Sequence, residues 1–261
     1  MTQPTKLSHN AHEITAAHPS AIVGIDISKW QPEINARAIK ADGVRFAIIK
    51  ATEASNTDPL FLDHADALGE GVGIGAYHLP RMCGGTWAEV EVRDPLTQAR
   101  YAGAVAATHD HFAAGHWLDL EPDKEEKGPR HFEALVKARG QVGAVTWLSA
   151  WLRTAEGLLG QSFGVYLSPG LAKVGGEPLR ALLDGQRRTW WALYQVEPLW
   201  PRELSPGAKY GYKSWDVWQF RADAYPGIPG GRCRGVMGGL EDCDLNIVNP
   251  ASSLAQDVNW G

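Results

Sequence analysis

Apolar and polar residues alternate with a period of two in eight short stretches, and most intervals between them carry a helical pattern. Ala21–Ser28 places Ile25 and Ile27 on one face and Gly24, Asp26 and Ser28 on the other, as a half-buried strand does. Val44–Ala51 and Val72–Leu79 predict the second and third strands. In the third, Gly73, Gly75 and Tyr77 share a face, a thin lining that leaves room for something bulky. A fourth strand starts at His116, a fifth spans Phe163–Ser168 and a sixth Trp190–Gln195, with Trp190, Ala192 and Tyr194 on one face. Trp215–Phe220 is the seventh, and Asp244–Ile247, within Leu240–Val248, the last.

Helical spacing is expected over Gln31–Ala41, over Leu96–Ala114, and from an Asp58 cap through Phe61, Ala65 and Leu68. It recurs over His131–Ala138, Val142–Leu159 and Pro178–Leu183. Val145, Leu148, Leu152 and Ala155 form one stripe, and Trp147 and Trp151 beside it are expected to be core. Met82–Pro95 reads as a loop lid or insertion. Met1–Ser20 is polar and reads as a flexible N-terminal extension, leaving 21–261 as one domain.

Strands alternating with helices predict an α/β fold with a largely parallel sheet. Eight strands in this length fit a (βα) barrel of TIM type, for which about 250 residues is usual. The later strands have little helix between them, so the barrel is expected to be irregular. In such a barrel, acids at the C-terminal ends of strands converge on one mouth, and Asp26, Asp119, Glu121 and Asp244 are all read as occupying such positions.

The fourth strand carries the chemistry. In His116-Trp117-Leu118-Asp119-Leu120-Glu121-Pro122, alternation puts Trp117, Asp119 and Glu121 on one face and Leu118 and Leu120 on the other. Two carboxyls crowded on one wall repel when both are ionised, so one keeps its proton near neutral pH. A proton donor beside an anion is what glycosidic cleavage requires.

Bulk properties narrow the field. The chain has 261 residues, 44% hydrophobic and 21% charged, and can bury a sizeable core. A net charge of −5 and a pI near 6.0 give no footprint for nucleic acid or an anionic membrane. No apolar run is long enough to span a bilayer, and the N-terminus lacks the pattern of a secretory signal. The 11 tryptophans are unusual for this length; indoles stack on sugar rings, though most serve as core. Of three cysteines, Cys233 and Cys243 have the placement to close a small loop, and Cys83 is left over. A metal hydrolase built on His109-Asp110-His111 with His116 is the poorer reading, because i and i+2 on a helix do not face one ion. No metal or cofactor is expected, and a monomer is.

These fragments, taken in order, resemble the muramidases of glycoside hydrolase family 25. Gly24-Ile25-Asp26-Ile27-Ser28-Lys29-Trp30-Gln31 resembles that family's first-strand signature, Phe46–Glu53 its second strand and Gly75-Ala76-Tyr77-His78 its third. Trp117–Glu121 resembles the strand with the catalytic acids. Val165–Ser168, Trp190-x-Ala192-x-Tyr194, Trp218-Gln219-Phe220 and a closing Asp244-Leu245-Asn246 follow in the family's order. The resemblance implies hydrolysis of the β-1,4 bond between N-acetylmuramic acid and N-acetylglucosamine in peptidoglycan, with retention. It implies Glu121 as general acid and base, Asp119 as its partner, and Asp26, Asp244, Tyr77, Trp190, Tyr194 and Gln219 as substrate-binding residues. A catalytically dead barrel that only grips the wall is the rival reading. Without a leader, such an enzyme is expected to reach the wall through a phage-made membrane lesion or a secretion apparatus.

Overall fold

A computed structural model describes residues 8–69, 71–109, 112–124, 127–194, 206–222, 231–237 and 243–257. Eight strands close into a barrel: β1 (Val23–Ile27), β2 (Val44–Glu53), β3 (Gly73–Leu79), β4 (Gly115–Asp119), β5 (Phe163–Leu167), β6 (Thr189–Ala192), β7 (Val217–Arg221) and β8 (Asp244–Val248). Each pairs with the next in chain order, and β1 closes the ring by pairing with both β2 and β8. The irregular α/β barrel is therefore as expected, with one exception in its staves. β8 runs antiparallel to β7 and to β1. Asp244 thus stands at the start of its strand, not at its C-terminal end, and comes to the mouth from the opposite direction, with Asp26 as its register partner. Periodicity reveals which residues share a face but is blind to strand direction.

Helices cover the outside: α1 (Ala11–Ala17), α2 (Ala36–Ala41), α3 (Phe61–Leu68), α4 (Pro95–Ala106), α5 (Phe132–Leu159), α6 (Pro169–Leu183) and α7 (Ser253–Asp257). The two helices expected from His131 to Leu159 form one run broken at Gly140, whose φ of 68° is left-handed. Trp147, Leu148, Trp151, Leu152 and Ala155 on it are buried, as the stripe requires. Asp58 does not cap α3 at its first turn; it instead accepts a bond from Leu60 N–H just before the helix. The helix expected to start at Gln31 begins only at Ala36, after a two-residue strand at Glu33–Ile34 that pairs with Val236–Met237.

Two other segments are more ordered than their composition suggests. The N-terminal segment is not loose throughout: α1 buries Ala11 and Ile14, and Thr15 donates a hydrogen bond to the Asp42 carbonyl. Two apolar contacts on one turn suffice to dock it, a pattern too short to see in the sequence. The Met82–Pro95 stretch forms a hairpin, Cys83–Gly85 against Val90–Val92. Cys83, Cys233 and Cys243 are free buried thiols; that of Cys243 is hydrogen-bonded to Cys233 and, with burial, is pushed well above the ordinary thiol value.

Apolar residues divide into two layers. The large one lies between the strands and the helices. The smaller fills the barrel itself: Phe46, Ile48, Trp117, Trp190, Val217 and Val248 are its main members. Room for these rings comes from glycines on neighbouring staves. A Cβ at Gly24 would lie 2.3 Å from the Phe46 ring, and one at Gly164 would lie 2.3 Å from the Trp117 ring. Gly164→Ala is therefore expected to destabilise the fold by about 1–3 kcal/mol, because a fixed indole cannot yield. A urea midpoint unchanged from the parent would show that the lumen is looser than this packing implies.

Candidate active site

The mouth is assembled on the aromatic plug. Trp190 is its centre, with Tyr166 at 4.7 Å, Trp117 at 5.8 Å and Tyr77 at 6.3 Å between ring centroids, all edge-on. Its indole N–H donates to Asn246 Oδ1 at 2.8 Å. Only 2% of Trp190 is exposed, so it supports the floor from beneath and has no ring face to offer a sugar. Tyr77 and Tyr194 are half-buried above it. Burial, and then the nearby acids, push the hydroxyl pKa of both well above the ordinary phenol range.

Above the floor, Gln219 ties the closing seam of the barrel together. Its amide nitrogen donates to Asp26 Oδ2 at 2.8 Å and to Asp244 Oδ2 at 3.1 Å. Its carbonyl oxygen accepts from the hydroxyls of Tyr166, at 2.8 Å, and Tyr194. All four hydrogen-bonding positions of a primary amide are thus taken. Gln219, expected from the resemblance to bind substrate, holds two acids and two phenols in the free protein. Asn246, wholly buried, adds a second bond to Asp26 Oδ2 at 2.7 Å and passes the Trp190 contact on.

Asp119 and Glu121 complete the ring of acids. Asp119 ends β4 and is 6% exposed; Glu121, two residues on, is half-buried at the lip. Leu120 N–H still bonds across to the Tyr166 carbonyl at 3.0 Å, so the extended backbone and its alternation continue past the strand's last residue. Burial raises the Asp119 carboxyl well above its ordinary value, and the charge of Glu121 adds to this. Lys50 and Arg81 pull it down, while Asp26 pushes it up. Its Oδ1 is buried without a hydrogen-bond partner among the described residues. The surroundings of the deeper acid therefore favour its neutral form in the free protein.

The two cations belong to a network that the alternation pattern did not single out. Lys50 shares the inward face of β2 with Phe46 and Ile48, and its ammonium donates to Glu53 Oε2 at 2.7 Å. Arg81, just after β3, donates to Glu53 Oε1 through Nε at 2.9 Å. Another of its nitrogens reaches His131 Nε2 at 2.6 Å, so that nitrogen must be the unprotonated one. Burial first, and then Arg81, lower His131 to about 4, which keeps the ring neutral. Burial opposes ionisation of Glu53, but bonds from Lys50 and Arg81 bring it down to about 2. The signal available in the sequence was the lysine itself: a cation at an inward position of a buried strand needs an acid nearby.

Of the residues of the alternative metal site, His109 and His116 are described, and both pack on the Phe112 ring. His116 faces the outer layer, with Phe112 at 4.6 Å and Phe163 at 5.1 Å, and burial lowers it to about 4. Asp110, His111 and Gln195 lie outside the described residues, as do Gly230 and the end of the loop, 238–241.

The chain and its fold have counterparts in known proteins. Lysozyme M1 of Streptomyces globisporus is 26% identical, the match covering 92% of this chain and 72% of that protein. The crystal structure of the bacterial lysozyme from Streptomyces coelicolor superposes with a TM-score of 0.66 at 23% identity, covering 90% of this chain and 94% of that one. The catalytic domain of endolysin ply40, from bacteriophage P40 of Listeria monocytogenes, gives 0.62 at 21% identity, over 91% and 96% of the two chains. The profile described as Glycosyl hydrolases family 25 matches residues 25–227, a span that runs from β1 through β7 and takes in Asp26, Asp119, Glu121 and Gln219. The match spans most of the barrel, and the chain belongs to glycosyl hydrolases family 25, as a glycoside hydrolase of the lysozyme kind.

Proposed function

We propose that the protein is an N-acetylmuramidase that cleaves the β-1,4 bond between N-acetylmuramic acid and N-acetylglucosamine in peptidoglycan with retention of configuration. The observation that carries this is the pair at the end of β4. A deep carboxyl with an unpartnered oxygen lies two residues from a half-buried one at the same end of the barrel.

Glu121 is the general acid and then the general base, because it is the member of the pair that solvent and a leaving group can reach. Asp119 works through the substrate. In the free protein burial and the charge of Glu121 favour the neutral form of the deeper carboxyl. When an acetamido group enters, its N–H donates to Asp119 Oδ1, which favours the ionised form there and sends the proton to Glu121. The acetamido oxygen then attacks the anomeric carbon while Glu121 protonates the departing glycosidic oxygen. The C–O bond breaks, a cyclic oxazolinium forms, and Glu121 deprotonates the water that opens it from the opposite face. Two inversions give net retention. Asp26 and Asp244, held in place by Gln219 and Asn246, keep the mouth negative beside the cationic transition state.

Mass spectrometry of digested cell walls is expected to show fragments with N-acetylmuramic acid at the new reducing end. Glu121→Gln should lower kcat/KM by about 10²–10⁴-fold. Asp119→Asn should cost nearly as much on N-acetylated glycan and far less on glycan whose acetamido groups have been removed. Equal losses on the two glycans would point to a direct carboxylate nucleophile. Reducing ends of N-acetylglucosamine alone would assign the other bond of the strand.

The same residue has a stability signature. Below the ordinary Asp value of 3.8, Asp119 is protonated in both the folded and the unfolded chain. Above it, the unfolded chain ionises first, so the folded state binds more protons and stability falls as pH rises toward the elevated folded value. The melting temperature of Asp119→Asn relative to the parent is therefore expected to be higher at pH 7 than at pH 3.5. A difference independent of pH would mean that Asp119 is already ionised in the free protein.

A further inference from the structure

We infer that Trp30 is a sugar-stacking platform at the rim of the groove, gripping the glycan strand beyond the bond that is cut; this rests on the glycan-cleaving reading above. Nine of the tryptophans lie among the described residues, and Trp30 alone is exposed, at 72%. It is not carried by a slack loop. Gln31 N–H closes a turn on the Ser28 carbonyl at 3.0 Å, and the Gln31 side chain, itself buried, accepts from Ser28 N–H at 3.0 Å. Trp30 N–H reaches Ser28 Oγ at 3.3 Å, and Lys29 N–H is tied to Asp58 Oδ2 at 3.3 Å. The chain spends four hydrogen bonds on fixing a turn whose largest side chain is left in water.

Position and chemistry then name the occupant. The turn directly follows β1, so Trp30 sits on the C-terminal side of the barrel, four residues beyond Asp26 and on the same rim as Asp119 and Glu121. Four residues span at most about 14 Å, within reach of a strand already seated on the acids. The Lys29 ammonium lies over the indole at 5.4 Å from its centroid, covering one face by cation–π attraction and leaving the other to a ligand. The C–H face of a hexosamine ring matches that free face, and the ammonium beside it suits the carboxylate of a muramyl lactyl group or its peptide. A bound polymer passing the acids therefore meets an apolar plate flanked by a positive charge.

The platform predicts a dependence on chain length. Trp30→Ala is expected to lower kcat/KM on long glycan strands by roughly three- to tenfold, the scale of one aromatic contact. The loss should appear in KM, with kcat and the melting temperature unchanged, and cleavage of a tetrasaccharide should be unaffected. Trp30→Phe should restore most of the loss. Binding is read separately by titrating long strands into Glu121→Gln and into Glu121→Gln with Trp30→Ala, following tryptophan emission; affinity should fall by the same factor. Equal kcat/KM for parent and Trp30→Ala on long strands, or the same loss on long strands and tetrasaccharide, overturns the platform. A parent that releases no reducing ends from either substrate overturns the muramidase reading instead, and the titration still decides whether Trp30 holds glycan.

Discussion

Carboxyl groups crowded over an aromatic floor repel one another, and most of the mouth is an answer to that repulsion. At the closing seam the barrel forces Asp26 and Asp244 into register on adjacent antiparallel strands. Two like charges directly opposite destabilise a strand pair. Here the repulsion is offset by one amide group that donates to both. The remaining half of that amide is occupied by two phenols, which fixes its orientation and keeps it from turning its oxygen toward the acids. The aromatic plug below then serves two ends. It fills the lumen, and through Trp190 and Asn246 it supplies a further donor to Asp26.

The opposite side of the mouth meets the same problem with charge in place of dipoles. Burial and Glu121 drive Asp119 toward its neutral form, and Lys50 and Arg81 oppose them. Both cations are themselves pinned by Glu53, and Arg81 is pinned again by a His131 that is kept neutral. Because Glu53 sits near pKa 2, the arrangement of charges does not change over the range in which a wall-cleaving enzyme works. The two cations that oppose burial at Asp119 are therefore anchored by a carboxylate that stays ionised.

Much of this was legible in the chain. All eight staves followed from alternation, because each has one face in the lumen and one under helices, and both environments are selective. The acids were found because a charged residue at an inward strand position is costly enough to demand a reason. Direction was not legible, so Asp244 was placed at the wrong end of its strand. Gln219 was read as a ligand-binding amide because its type and position suit that role equally well; only the count of its partners separates the two. The Glu53 network was missed because its members come from β2, the turn after β3 and the start of α5, and their meeting depends on closure of the barrel.

Trp30 and Trp190 show how the same side chain is assigned opposite work by its surroundings. Both belong to segments that resemble the family pattern, and the resemblance implied Trp190, not Trp30, as the sugar contact. Trp190 sits inside the stave ring, where glycines on neighbouring strands make room for bulk and the indole N–H finds an amide acceptor. Buried there, it fills the lumen and, through Asn246, supports Asp26. Trp30 follows a strand end, in a turn whose backbone groups are already satisfied and whose anchors, Ser28 and Gln31, take the buried positions. No site remains for the indole inside, so its apolar surface is available to whatever passes over the rim. The protein therefore uses its aromatic content in two ways: packed edge-to-face where the floor must not move, and presented singly where a polymer has to slide.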